Sequence, residues 1–152
     1  MNINELLTEE RISLDLSATD KFTAIKELVG VLGNHGHITD KDNLLHALQE
    51  REELESTGIG DGIAIPHVRT ELAKEMMIAF GRSAKGVDFS ALDNEPVHLF
   101  FLVVTPKEDS SKLMRILAKL CRLLKKEEFR QALLTAQSKQ IITELIEAES
   151  SF

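Results

Sequence analysis

His67 closes the run STGIGDGIAIPH, residues 56–67, and in this segment residue types and spacing converge on chemistry. An imidazole titrates near neutrality, so at pH 7 one ring nitrogen keeps a lone pair and can act as a nucleophile. Pro66 stiffens the backbone before it, while Gly58, Gly60 and Gly62 at alternate positions leave a loop with little side-chain bulk. Three glycines alone are better read as a turn needing positive φ; the histidine shifts the reading. A loop folded back beside the ring would offer backbone amides to an anion, and the combination suits phosphoryl transfer through a phosphohistidine. Arg51 lies on the preceding helix and can reach the same pocket to hold phosphate oxygens bidentately. Its alternative role is a pair with Glu50, Glu52, Glu53 or Glu55 on a solvated face.

Other chemistries fit less well. The glycine run is not a Walker loop, because no Gly-Lys-Ser/Thr follows it. It is not the dinucleotide GxGxxG pattern either, because it precedes a short strand. Nucleotide binding is not expected, and the pattern calls for no cofactor. His35 and His37 in NHGH lack a third nearby ligand, so no metal is expected. His46 falls on a helix, His98 opens a strand, and Cys121 shares an apolar helix face as a core residue.

The elements that must position His67 follow from periodicity. Phe22, Ile25, Leu28, Val29 and Leu32 recur at helical spacing behind a cap at Thr19 or Asp20, and Gly33 supplies the stop. Asp40 caps a second helix with Leu44, Leu45, Leu48 and Leu54 on its apolar face. Ser56 to Pro66 reads as loop, then a short buried strand at Ile63 to Ile65. Met76 to Arg82 and Val97 to Val104 are strands; the second is apolar on both faces and belongs mid-sheet under helices. The stretch SAKGVDFSALDNEP between them reads as loop. Ser110 or Ser111 caps a long helix carrying Leu113, Ile116, Leu117, Leu120, Cys121 and Leu124. Glu127 to Ala136 and the segment from Ser138 follow as two more helices. This order implies an α/β or α+β sandwich, with a mixed sheet flanked by helices.

A chain of 152 residues suits one domain with a real core. Its 43% hydrophobic and 28% charged residues are too apolar for general disorder. With 18 basic and 25 acidic residues the net charge is −7, which disfavours nucleic acid and anionic lipid. Leu99 to Val104 is the longest apolar run, far below the roughly 20 residues of a membrane span, and MNINELLTEE lacks a signal layout. No membrane insertion is expected. One cysteine excludes an internal disulfide and fits a reducing, cytoplasmic compartment.

REELESTGIGDGIAIPHV, residues 51–68, resembles the active-site segment of IIA components of the bacterial phosphoenolpyruvate-dependent phosphotransferase system, of the fructose and mannitol type that includes the nitrogen-regulatory IIA proteins. VDFSALDNEPVHLFFLVVTP resembles that family's paired strands and turn, and LMRILAKLCRLLKKEEFRQALLTAQS its following helices, so the resemblance covers residues 1–152 as one domain. It implies that His67 accepts a phosphoryl group from the histidine phosphocarrier HPr or its nitrogen-branch relative, with Arg51 beside it. It also implies that Thr57, Gly58 and Gly60 bind the phosphate. Family members commonly carry a second histidine at the start of the long helix, where this chain aligns Lys112; Val68 replaces the small residue that usually follows the active histidine. Lys112 is expected to neutralise phosphate charge without the hydrogen bonding of a neutral imidazole. A separate IIB protein or regulatory target proteins would be the downstream partners. The expectation is a nitrogen-regulatory carrier, with a sugar-branch IIA component or an unphosphorylated interaction module as alternatives.

Overall fold

The structure, a computed structural model, describes residues 2–32, 38 and 40–150. Gly33, His35 and His37, for which a helix stop and a partial metal site were considered, lie outside the described residues.

Strand β6, Val97–Pro106, is the axis of the sheet. Its VHLFFLVV run presents apolar side chains to both faces, and a strand with two apolar faces must be covered twice. Leu99, Phe101 and Val103 pack with Ile78 and Phe80 against a layer containing Leu113, Ile116, Leu120, Phe129, Leu133, Ile142 and Ile146. Phe100, Leu102 and Val104 face the opposite layer with Ile25, Leu28, Leu44 and Leu48. Each face carries an edge-to-face aromatic pair, Phe80 with Phe101 at 5.2 Å and Phe89 with Phe100 at 5.5 Å.

The first layer is built from α4 (Ser110–Leu124), α5 (Glu127–Thr135) and α6 (Lys139–Ser150), joined by the short α1 (Ile3–Leu6). The second is α2 (Lys21–Leu32) and α3 (Lys41–Leu54). Between them lie β1 (Ile12–Ser13), β2 (Gly58–Gly60), β3 (Ile63–Ala64), β4 (His67–Thr70), β5 (Met77–Val87) and β6. The sheet order is β1-β5-β6-β3-β2, with β4 also paired to β6. The β1–β5, β3–β6 and β4–β6 pairs are parallel, and β5–β6 and β2–β3 antiparallel, so the sheet is mixed. Among the described residues no helix is long and apolar enough to cross a membrane.

The caps at Asp20, Asp40 and Ser138 form: their side chains accept from the amides of Thr23 at 3.1 Å, Asn43 at 3.1 Å and Ile141 at 3.2 Å. The expected cap of α4 does not. Ser110 is already helical, and Asp109 precedes it without a side-chain cap bond. Leu54 is 83% exposed rather than part of the α3 core face, and Phe22 is also exposed. Both lie beyond the strip of α3 or α2 that touches the sheet. The first five residues of the expected loop, 83–87, instead continue β5, held by Val87 opposite Val97 and by His98 Nδ1, which donates to the Ser83 carbonyl at 2.8 Å, while the rest lies outside helices and strands.

Candidate functional site

β3 and β4 lie end to end along one edge of β6. Ile63 and Ala64 pair with Leu99 and Phe100, and His67 to Thr70 pair with Val103 to Pro106. Ile65 and Pro66 interrupt the ladder. Pro66 has no N–H to give, and its carbonyl accepts from Val103 at 2.9 Å. Ile65 donates its N–H to the Thr57 carbonyl at 3.0 Å, while its own carbonyl meets His67 Nδ1 at 2.7 Å. A carbonyl only accepts, so the neutral ring carries its proton on Nδ1 and keeps the Nε2 lone pair.

Burial pushes the His67 pKa below the usual histidine value. The Ile65 carbonyl pulls it upward, Arg51 lowers it and Glu52 opposes Arg51, with a net downward shift. At pH 7 the ring is therefore neutral, the state a nucleophile needs.

His67 borders two cavities. One of about 250 Å³ is mainly apolar, lined by Thr57, Ile59, Ile65, Leu92, Leu117 and Cys121, with Arg51 also on its wall. The other, about 340 Å³, is cationic: Arg51, Arg69 and Lys107 line it beside Val68 and Leu113. Arg51 thus reaches both cavities from the last turn of α3, where its Nη1 also donates to the Glu55 carbonyl at 3.0 Å. Lys107 is only loosely paired, 3.9 Å from an exposed Glu71.

The remaining expected site residues distribute differently. Thr57 lines the apolar cavity, but its N–H and its hydroxyl are both donated to the Glu52 carboxylate. Gly58 donates to Ser56 Oγ at 3.1 Å and is packed against Ala91, and neither it nor Gly60 lines a cavity with His67. Gly60 leads into the two-residue turn Asp61-Gly62 of the β2–β3 hairpin, where all three have positive φ. The Asp93 carboxylate accepts from the Asp61 amide at 3.1 Å and fastens that turn. The glycine run thus builds the β2–β3 hairpin beside the site.

Lys112 lines neither of the two cavities that His67 borders. It lines cavities with Thr8, Arg11, Glu75 and Met76 and with Arg115, Ile116 and Lys119, whereas Leu113 shares the cationic cavity with His67. Besides Arg51, the cations that share the His67 cavity are Arg69 and Lys107, which the sequence reading missed. Arg69 was detectable, because residues two apart on a strand share a face. His46 pairs with Glu50 at 2.9 Å on an exposed surface, and Cys121 is half-buried at the apolar cavity. Among the described residues no group of three or more His, Cys, Asp or Glu is placed to hold a metal ion.

Residues 5–149 match the family profile described as phosphoenolpyruvate-dependent sugar phosphotransferase system, EIIA 2. The chain belongs to this EIIA type 2 family. Within the family, it is 40% identical to the fructose-specific EIIABC component of Bacillus subtilis over 96% of its length, and spans 23% of that longer protein. It is 37% identical to the fructose-specific EIIA component of Haloferax volcanii, covering 95% of this chain and 94% of that one. The crystal structure of the nitrogen regulatory protein IIA-Ntr from Neisseria meningitidis matches with a TM-score of 0.89 at 30% identity, over 95% of this EIIA chain and 98% of that chain.

Proposed function

We propose that the protein is a phosphohistidine carrier in which His67 Nε2 accepts a phosphoryl group from an HPr-like histidine phosphocarrier. The observation that carries this reading is the bond between His67 Nδ1 and the Ile65 carbonyl, which leaves Nε2 as the ring atom with a lone pair. As the bond from Nε2 to phosphorus forms, the bond from phosphorus to the donor imidazole breaks and its electron pair stays with the donor. The Nδ1 proton remains on the Ile65 side, where its hydrogen bond stabilises the positive charge that the ring gains. Arg51 offers a planar fork to the equatorial oxygens, and Arg69 and Lys107 add positive charge to the same cavity. Leu92, 72% exposed at the rim of the other cavity, gives a partner protein an apolar edge to close against.

For the downstream step, a fructose-type relay to a separate IIB protein is favoured by the identities of 40% and 37% to fructose-specific relatives. The nitrogen-regulatory reading, in which the phosphorylated state selects target proteins, is supported by the fold match to IIA-Ntr.

Incubation with phosphoenolpyruvate, enzyme I and HPr should add one acid-labile phosphoryl group, read by mass. Undiminished labelling of His67→Ala would refute the assignment, and an unlabelled native protein would support an interaction module. Rapid-quench transfer from the phosphoprotein to a fructose-type IIB separates the branches: fast transfer supports the relay, and none supports regulation.

A further inference from the structure

Glu52 is 4% exposed, although it lies in the run EREELE, whose composition reads as a solvated helix face. Its carboxylate is met from two sides. Lys21 of α2 places Nζ 3.1 Å away, and Thr57 gives it both the backbone N–H and the hydroxyl. Lys21 is itself held over the Phe89 ring, 4.8 Å from its centroid. A buried charge with three donors aimed at it is expensive to arrange, and stability alone is a poor reason for keeping one.

The contacts continue past Thr57. Its carbonyl accepts from Ile65 at 3.0 Å, and the Ile65 carbonyl faces His67 Nδ1 at 2.7 Å. A series of polar contacts, linked through the backbones of Thr57 and Ile65, therefore runs from the α2–α3 layer to the imidazole. Arg51 is the residue next to Glu52, so the same anchored turn of α3 also fixes the base of the guanidinium.

We infer that buried Glu52, whose charge Lys21 balances, is a positioning residue for His67, acting through Thr57 and Ile65 to hold the ring with its proton on Nδ1 and Nε2 free. Neither residue is a lining group of the cationic cavity beside the histidine, so neither meets the phosphoryl group. Their work is to fix the backbone at Thr57, which fixes the backbone at Ile65, which fixes the ring. The rate consequence rests on the phosphohistidine reading; the ring geometry does not.

The test uses two double variants in the full chain, each removing Lys21 so that no buried cation is stranded. Lys21→Met with Glu52→Ala deletes the acceptor for Thr57. Lys21→Met with Glu52→Gln keeps a carbonyl oxygen that can accept from it. Nitrogen-15 NMR of the His67 ring at pH 8 reads the tautomer, and labelling from phosphorylated HPr reads the rate. In the native protein the Nδ1–H tautomer should dominate. The alanine variant should show a mixture of tautomers and label about 10-fold or more slowly, the usual loss when a supporting hydrogen-bond partner is removed. The glutamine variant should recover most of the native tautomer population and rate.

Native tautomer and native rate in the folded alanine variant would overturn the inference, as would equal losses in both variants. A dominant Nε2–H tautomer in the native protein would overturn it without any variant, which covers the case in which the alanine variant does not fold. If native protein shows the Nδ1–H tautomer but takes no phosphoryl group, the phosphohistidine reading fails and the tautomers of the two variants still decide the positioning.

Discussion

Gly58→Ala tests whether the glycine run serves packing or ligand binding. A Cβ added at Gly58 would sit 2.8 Å from Ala91 Cβ and 2.9 Å from Ala91 Cα, with Ser56 Oγ at 3.3 Å. The first two atoms belong to a short side chain and the backbone, so β2 and the Ala91 segment must separate. Overpacking of this kind costs about 1–3 kcal/mol. Reduced freedom of the unfolded chain offsets about 0.4–1 kcal/mol, because the φ of Gly58 is not positive. A net loss of about 1–2 kcal/mol corresponds to a Tm lower by roughly 2–8 °C in a domain of this size. Circular dichroism is the suitable probe, since the chain has no Trp or Tyr for intrinsic fluorescence. Ala91→Gly in the same chain should restore part of the loss by removing the Cβ contact. Labelling should also slow at 20 °C, because the Leu92 amide bonds the Gly58 carbonyl at 3.1 Å and Thr57, Ile59 and Leu92 all line the His67 cavity. Alanine keeps the Gly58 N–H, so a role confined to that amide predicts no change. A Tm at or above the native value, or loss fully additive with that of Ala91→Gly, would refute the packing argument.

The depressed pKa of His67 sets a pH signature. The unfolded chain protonates His67 near the ordinary value of 6.5 while the folded chain resists, so stability present above pH 6.5 is lost as pH falls toward the lower folded value. Denaturant titrations should show native protein losing more stability between pH 7 and 5.5 than His67→Gln, and the acid limb of the labelling rate should lie below pH 6.5; equal losses would remove the burial argument. Arg51→Lys should slow labelling about 10-fold with an unchanged circular dichroism spectrum, since an ammonium lacks the planar fork, and an unchanged rate would return Arg51 to the solvated face. Arg69→Ala and Lys107→Ala should each slow labelling and flatten its salt dependence, whereas Lys112→Ala should leave both unaltered. The reverse ranking would show that Lys112 reaches the site.

What the sequence disclosed about the site was its local chemistry. His67 and Arg51 were readable because a nucleophile after a stiff turn and a nearby guanidinium are defined by type and spacing, and the structure puts both on the same two cavities. Helices with a strong apolar strip were readable for the same reason. Facts that depend on rotation or on distant partners were not. Whether Lys112 or Leu113 shares a cavity with His67 is decided by how α4 rolls on the sheet. The burial of Glu52 depends on Lys21, which belongs to another helix. β1 and α1 are too short to show a period, and β4 was hidden because a strand resuming after Pro66 looks like loop.

The interrupted edge of β6 also orders the birth of the site. His67 pairs with Val103, a residue separated from it in the chain by the whole of β5, and its apolar wall comes from Leu117 and Cys121 later still. Such distant pairings bear their loop-closure entropy before any contact compensates it. On a ribosome that synthesises from the N-terminus, β3 and the histidine emerge long before the strand that receives them. A nascent chain halted before α4 therefore displays the imidazole without the apolar wall of its cavity. The chamber is complete only when α4 docks on the finished sheet, so the histidine acquires its surroundings at the end of folding rather than with its own strand.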